Sequence, residues 1–403
     1  MTSRTSITSR FVAYLPALLL VLPACGDLSD VPAVVVNVDY RPNGQLVVFT
    51  SGGVKIYQGD FASEIGSFPI GSDEPYALQY KGTHLSDDGL RAAVTYGNQN
   101  NKTVLYGIPD GTLLGSLRPA LSQPFIAFSP KGDNAYAYGG HQNDPPTSMI
   151  DALYNLADGS QLWSVDYNKH FAPANYCRVS AGDTRSPPVF ASDGTTMFMA
   201  FGEHLMAADV ASGAMHEIAR ARACIGGLTL LPDGSLLVLH GLDGNAIWGF
   251  PGLNGTPFTD PALPDAALPN SFAIYAQDGN LLRQIPPFPG YYTPATIWAV
   301  DSPMYCSPVG DRCAMFAEKP EPYVDAYGVQ TMSGPLFVLV WSIDGTLLYT
   351  IPAPATGTAA FSPDGSRLAI AFTYSENPSS SARIYRAEDG ALLAERTYTM
   401  GVF

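Results

Sequence analysis

The segment FSPDGSRLAIAF, residues 361–372, carries the pattern that decides the fold. Phe361 is followed by a tight turn that ends at Gly365, and alternating apolar residues then begin at Leu368. Proline at the second position of such a turn and glycine at the fourth are typical of a type I turn. Alternation with a period of two predicts a strand with one buried face. The segment therefore predicts two strands joined by a tight turn.

The same pattern recurs along the chain, which indicates a repeat architecture. Its copies end their turns at Gly44, Gly89, Gly132, Gly194, Gly234, Gly310 and Gly365. A second turn follows each copy one strand later, at Gly59, Gly111, Gly159, Gly213, Gly279, Gly345 and Gly390. In five repeats an aromatic residue precedes this second turn, namely Tyr106, Tyr154, Tyr275, Trp341 and Tyr385. Because the two kinds of turn alternate strictly, each repeat contains four strands.

This unit resembles a blade of the WD-repeat and YVTN-type propellers, from residue 33 to about residue 398. The FSPDG turn and the aromatic residue before the second turn are shared, whereas the glycine-histidine and Trp-Asp signatures of true WD repeats are absent. The resemblance implies an all-β fold, a seven-bladed β-propeller of four-stranded antiparallel blades over residues 33–403. A β-sandwich is the alternative, but seven regular copies favour the propeller. Each repeat has its own full set of strands, which predicts ring closure by packing of the end blades.

The N-terminal residues have the features of an export signal. Arg4 and Arg10 give a positive start, and the apolar run that follows them is too short to span a bilayer comfortably. A positive flank, a short apolar core and a small residue before a cleavage point predict a signal peptide over residues 1–24.

The end of this signal, LPACG at residues 22–26, resembles the lipobox of bacterial lipoproteins. The resemblance implies that Cys25 is lipidated and becomes the first residue of the mature chain. Residues 25–32 then form a tether, and the protein is expected to be lipid-anchored in the cell envelope, on the periplasmic side or on the outer-membrane or extracellular face. An ordinary secretory signal with a coincidental cysteine is the alternative.

The charge of the chain excludes one class of partner. The net charge is −15, and it becomes −17 once the signal peptide removes Arg4 and Arg10. Nucleic acids and anionic lipids are polyanions, so non-specific binding to either is not expected. Membrane attachment is therefore expected through the lipid anchor only.

Four cysteines remain after Cys25, and an even number in an oxidising compartment predicts two disulfides of three possible pairings. Cys306 and Cys313 flank a predicted turn, which favours a local bridge between them. Cys177 and Cys224 would then pair across neighbouring blades. The sequence contains no CxxC or HExxH motif and its six histidines are scattered, so neither a metal site nor a cofactor is expected.

The long insertions of the chain fall at equivalent places in the repeats. In a four-stranded meander, the first and third turns lie at one end, and the remaining connections lie at the other. All the tight glycine turns belong to the first group. The long insertions belong to the second and are residues 139–149, 165–188, 241–269, 284–304, 317–334 and 373–380. Loops this long inside a compact domain are usually functional or disordered, so function is expected on this face.

Aromatic and polar residues within and next to two of these insertions are the candidates for binding. They are Tyr167, His170, Phe171, Tyr176, Arg178, Tyr291, Tyr292 and Tyr305. Tyrosine offers a large contact area with a polar end, as binding interfaces prefer. The alternative is that these side chains pack beneath their own loops.

The sequence contains no GxSxG, HExxH or EF-hand motif, so no catalytic residues are assigned. The leading hypothesis is a monomeric, lipid-anchored binding module that presents its loop-rich face to an envelope protein or glycan. One alternative is a hydrolase or lyase with its site at the channel mouth, because propellers host many chemistries. A purely structural lipoprotein is the other alternative.

Overall fold

The fold is seen in a computed structural model that describes residues 34–70, 80–96, 103–117, 125–138, 150–166, 187–201, 203–221, 225–240, 271–291, 304–319, 321–324, 330–372 and 379–399. Within these residues the chain forms seven four-stranded antiparallel sheets and one two-stranded hairpin. Each sheet is a meander in which neighbouring strands follow one another along the chain. The prediction of seven four-stranded blades is confirmed.

Blades 1 and 2 contain β1 to β8, which are Val35–Tyr40, Leu46–Thr50, Gly53–Tyr57, Glu64–Pro69, Tyr80–Leu85, Arg91–Tyr96, Thr103–Gly107 and Leu113–Leu117. Blades 3 and 4 contain β9 to β16, which are Phe125–Phe128, Asn134–Tyr138, Ile150–Asn155, Gln161–Asp166, Val189–Phe190, Thr196–Phe201, His204–Asp209 and Met215–Arg220.

Blade 5 contains β17 to β20, which are Ile225–Leu230, Leu236–His240, Phe272–Tyr275 and Leu281–Ile285. Blade 6 contains β21 (Met304–Cys306), β22 (Arg312–Glu318), β25 (Leu336–Ser342) and β26 (Leu347–Ala353). The hairpin of β23 (Glu321–Val324) and β24 (Gln330–Ser333) is inserted between its second and third strands. Blade 7 contains β27 to β30, which are Gly357–Phe361, Arg367–Phe372, Ser379–Arg386 and Leu392–Thr399.

The tight turns form as the sequence predicts. The backbone amide of Gly365 donates to the carbonyl oxygen of Ser362 at 2.8 Å, and Gly365 has a φ of +68°. A side chain here would meet the neighbouring blade, because an added Cβ would lie 2.7 Å from both Ser307 and Val309. Glycine is thus required both for the left-handed backbone and for close packing between blades.

The core consists of seven hydrophobic clusters, one between each pair of adjacent blades among the described residues. The cluster between blades 5 and 6 contains Trp341, which is fully buried. Its ring centroid lies 5.1 Å from that of Phe272 and 5.5 Å from that of Phe288. The aromatic residues that precede the second turns thus face neighbouring blades and stabilise the contacts between them.

The ring closes where blade 1 packs against blade 7. The backbone amide of Val35 donates to the Ser380 hydroxyl at 2.6 Å. The hydroxyls of Tyr57 and Tyr398 form a hydrogen bond at 3.2 Å, and the Arg396 guanidinium lies 5.1 Å above the Tyr57 ring. Each of the two blades is built from its own consecutive strands, so closure uses packing rather than a shared blade.

The first predicted disulfide is present. Cys306 and Cys313 lie opposite each other in β21 and β22, with their Cα atoms 4.0 Å apart and their sulfurs bonded. Cys177, Cys224 and Cys25 lie outside the described residues. Among the residues that are described, no helix is long and apolar enough to cross a membrane.

Candidate functional site

The two ends of the propeller differ in the length of the connections that they carry. The tight-turn face holds the turns at Gly44, Gly59 and their equivalents, and all fourteen of these glycines have positive φ. The long-connection face receives the other strand ends, between which residues 139–149, 167–186, 241–270 and 292–303 lie outside the described part of the chain. The topology therefore gives every long connection to the same face.

Four insertions are shorter than the sequence suggested. Two of them overlap strand ends, because β12 continues to Asp166 and β29 begins at Ser379. Residues 284–291 do not belong to a loop alone, because Ile285 ends β20 and Phe288 is buried in the cluster between blades 5 and 6. Similarly, β22 continues to Glu318, and the insertion after it contains the β23–β24 hairpin.

Most residues of the predicted binding face lie outside the described chain: Tyr167, His170, Phe171, Tyr176, Arg178 and Tyr292. Tyr291 is described, and its ring packs edge-to-face on Phe337 with the centroids 5.8 Å apart. Tyr305 lies in the inner strand β21, where it is half-buried and lines the central channel. The structure thus places these two tyrosines against blades, one of them at the channel.

The inner strands of the described blades enclose a central channel. It has a volume of about 710 Å³ and is lined by the inner strands of all seven blades. Pro42, Pro308 and Pro363, which belong to first turns, stand at its tight-turn end. A cavity of this size is in the range that holds small ligands.

One layer of this channel contains a structurally equivalent residue from each blade, and we call this layer the axial ring. Each member lies in the first strand of its blade, one residue before the last residue of that strand that pairs with the second strand. In blade order the members are Asp39, His84, Ala127, Val189, Thr229, Tyr305 and Ala360. The carboxyl group of Asp39 and the imidazole of His84 therefore lie on neighbouring blades, 1 and 2.

Burial shifts both of these groups towards their uncharged forms. It raises the pKa of Asp39 to about 7, against a hydrogen bond from the Tyr40 amide that favours the carboxylate, and nearby Asp87 adds to the rise. Burial lowers the pKa of His84 to about 4. A hydrogen bond joins blades 1 and 2 beside these two groups: the side-chain amide nitrogen of Asn37 donates to the Thr83 carbonyl oxygen at 2.6 Å.

A second carboxyl group, that of Asp87, lies at the tight-turn end of the same sector. Asp87 is exposed, and partial desolvation and the charge of Asp88 raise its pKa. The nearby cations have other partners: Arg41 donates from Nε to the Gly89 carbonyl oxygen at 2.9 Å, and Arg91 pairs with Asp88 at 3.0 Å. The described lining of the channel contains no lysine or arginine.

These shifts predict opposite pH dependence for two variants. Asp39, with its raised pKa, destabilises the fold increasingly as the pH rises from about 4 to about 7. We therefore expect Asp39→Asn to raise the melting temperature relative to wild type at pH 8 and to change it much less at pH 4. His84, with its lowered pKa, destabilises the fold as the pH falls from 6.5 towards 4. His84→Gln should stabilise at pH 4 and not at pH 8. Melting curves of all three proteins across this range test the pair, and parallel curves would contradict it.

Sequence reasoning did not single out Asp39, His84 or Asp87. The signal was nevertheless available, because an alignment of the seven first turns places Asp39 and His84 in one column with Ala127, Val189 and Ala360. A strand that faces a channel tolerates small apolar residues there, so polar exceptions in that column stand out.

Three solved structures illustrate what the fold is similar to. Hydrazine synthase of Kuenenia stuttgartiensis aligns with a TM-score of 0.55 at 13% identity, over 90% of this chain and 97% of that one. A chain of the mitotic checkpoint complex aligns at 0.50 and 14%, over 91% and 96%. U3-55K aligns at 0.52 and 10%, over 85% and 89%.

The chain is a seven-bladed β-propeller with WD40-like structural neighbours. At these identities the likeness concerns the fold alone. No model of a protein family matches the sequence, and the curated proteins gave no match. In the described chain, no group of three His, Cys, Asp or Glu residues is arranged to hold a metal ion.

Proposed function

We propose that the protein is a lipid-anchored binding module of the cell envelope, which presents its long-connection face to a protein or glycan partner. The observation that carries this proposal is the concentration of every long connection on one face of the propeller. Tight turns on the opposite face leave little surface that could adapt to a partner, whereas long loops on a rigid scaffold are common carriers of binding.

The structural neighbours support a binding role. Propellers of this type are typical of protein-interaction scaffolds, and one neighbour is a component of the mitotic checkpoint complex. By that analogy the rigid blades hold the loops, and the loops select the partner. The aromatic residues of segment 167–186 supply the kind of anchors that interfaces use.

The polarity of β1 bears on where a lipid anchor would attach to the propeller. The Ser51 amide donates to the Val34 carbonyl oxygen at 2.8 Å, so β1 begins at the long-connection face. The chain from Cys25 to Val35 spans at most about 35 Å when extended. A lipid on Cys25 would therefore hold the start of β1 within about 35 Å of the bilayer, and we propose that the partner is a membrane component or lies close to the membrane.

Affinity capture from detergent-solubilised envelopes tests the proposal. The test variant has segments 167–186 and 292–303 each replaced by a short Gly-Ser turn, which leaves Phe288, Tyr291 and the strands intact. A matched control carries Leu281→Ser and Leu282→Ser, two exposed residues in an outer strand. We expect a partner to be retained by wild type and by the control, and to be lost from the test variant.

Two further results bear on the same proposal. Cys25→Ala should move the protein from the membrane fraction to the soluble fraction and abolish incorporation of radiolabelled palmitate. A partner that is retained by the loop-shortened variant would contradict the assignment of the binding face. Palmitate incorporation that survives the Cys25 substitution would contradict the anchor.

A second candidate function rests on the channel. Asp39 and His84 on neighbouring blades are the kind of pair that can perform acid–base work, which favours a hydrolase or lyase. Turnover of envelope glycans or lactones by the wild type, lost in His84→Gln, would identify such an enzyme.

A further inference from the structure

The axial ring divides the channel into two sectors of different character. Blades 1 and 2 contribute the Asp39 carboxyl, the His84 imidazole and, from the exposed first turn of blade 2, the Asp87 carboxyl. In a ring of seven blades, blade 5 lies opposite the boundary between blades 1 and 2. The wall there is formed by Val189, Thr229 and Leu230 with the Tyr305 ring, which carry no formal charge at neutral pH.

The polar sector is not needed to build the fold. The same ring position is occupied by alanine in blades 3 and 7 and by valine in blade 4. The strand registers around these residues are the same, so a small apolar side chain satisfies the architecture. Placing a carboxyl group at this position in blade 1 costs stability at neutral pH, since burial disfavours its charged form.

The charge of this sector is not balanced by the described lining. Asp39 and Asp87 provide two carboxyl groups, and the described lining contributes no lysine or arginine. The guanidinium of Arg41 is held by Gly89 and Gln45 at the turn. A bound cation would therefore supply the positive charge that the polar sector lacks.

From this arrangement we propose that the channel is a binding site for a small organic ammonium ion, whose charged nitrogen contacts Asp39 and whose apolar body packs on the opposite wall. The carboxyl oxygens accept hydrogen bonds from the ammonium, and the side-chain oxygen of Asn37 offers a further acceptor beside them. The volume of about 710 Å³ accommodates a nitrogen with a ring or a short chain. This site is separate from the long-connection face and does not depend on a partner there.

The affinity should depend on pH in a defined way. Asp39 has a pKa of about 7. The channel residues on the two neighbouring blades are His84 and Asp87 on one side, and the uncharged Thr358 and Ala360 on the other. A cation favours the carboxylate, so binding at pH 6 should release about one proton from Asp39. Affinity for the ammonium should be about tenfold higher at pH 8 than at pH 6.

Titration calorimetry with benzylammonium, and with benzyl alcohol as its uncharged analogue, tests the proposal. We expect benzylammonium to bind at least about tenfold more tightly than the alcohol at pH 8. Repeating the titration at pH 6 in two buffers that differ in ionisation enthalpy measures the number of protons released on binding. Asp39→Asn should abolish both the preference for the cation and the pH dependence. Asp278→Asn, which removes an exposed carboxyl group in the second turn of blade 5 and outside the channel lining, should bind like wild type.

Three outcomes would overturn the proposal. They are equal affinity for the amine and the alcohol, wild-type binding by Asp39→Asn, and no saturable binding of benzylammonium at millimolar concentration. The melting temperature of Asp39→Asn at pH 8 is expected to equal or exceed that of wild type, which separates loss of the site from loss of the fold. Capture of a partner on the long-connection face leaves these outcomes unchanged, so the two proposals fail independently.

Discussion

Replacing Trp341 with alanine is expected to lower the free energy of unfolding by about 3 to 5 kcal/mol. Trp341 is among the largest fully buried side chains, and it joins blades 5 and 6 through Phe272 and Phe288. Its removal would leave a cavity between two rigid sheets, which cannot move together without breaking their contacts with the next blades. Urea unfolding followed by far-ultraviolet circular dichroism measures the loss.

Two further variants make this test specific. Trp341→Phe should cost clearly less than the alanine change, because it retains most of the packing and because the described structure shows no hydrogen-bond partner for the indole nitrogen. Leu348→Ala, at an exposed site in the adjacent strand β26, should change the free energy of unfolding by less than about 1 kcal/mol. An effect of Trp341→Ala as small as that of Leu348→Ala would contradict the role of the cluster.

The second large effect is expected at the seam between blades 1 and 7, where Tyr398→Ala should cost about 3 kcal/mol. The Tyr398 side chain is buried, its hydroxyl bonds to that of Tyr57, and the Arg396 guanidinium lies near its ring. The exposed neighbour Thr397 provides the matched control, and Thr397→Ala should change the unfolding midpoint very little.

The hydroxyl pair at the seam can be tested separately. Tyr57→Phe should destabilise the protein, since it leaves the buried Tyr398 hydroxyl without its Tyr57 partner. Tyr398→Phe should cost less, since the Tyr57 hydroxyl keeps its hydrogen bond with Glu64. The double variant should cost less than the sum of the two single changes, because it removes both polar groups together. Additive single effects would mean that the two hydroxyls do not interact in solution.

Much of this architecture could be predicted from the turns. Gly44, Gly89 and their equivalents adopt the left-handed backbone that the turn chemistry requires, and the strict alternation of the two kinds of turn predicted the number of strands and blades. The Cys306–Cys313 bridge could be predicted because both residues flank one turn. Local geometry determined each of these features, so local sequence was sufficient to predict them.

The channel site could not be predicted in the same way. Whether Asp39 or His84 faces a core, a neighbouring blade or the axis depends on how seven separate sheets pack around one point. No pattern within a single repeat reports that arrangement, and only the alignment of the seven first turns sets Asp39 and His84 apart from their apolar equivalents. Likewise, Phe288 looked like part of a loop, and only its packing on Trp341 across the blade boundary shows that it belongs to the core. Tyr305 looked like a candidate for the binding face, and its place in β21 puts it in the channel.

Closure without a shared blade has a consequence for how the chain folds. Because every sheet is complete within one continuous segment, each blade can form as its own strands leave the ribosome, N-terminus first. Among the described strands, none waits for a strand partner from the far end of the chain. The two ends of the described chain are joined when the seam is sealed, where Val35 bonds to Ser380 across 345 positions. By then six blade contacts already hold the two ends near each other, so the chain entropy of that closure has largely been lost in earlier steps.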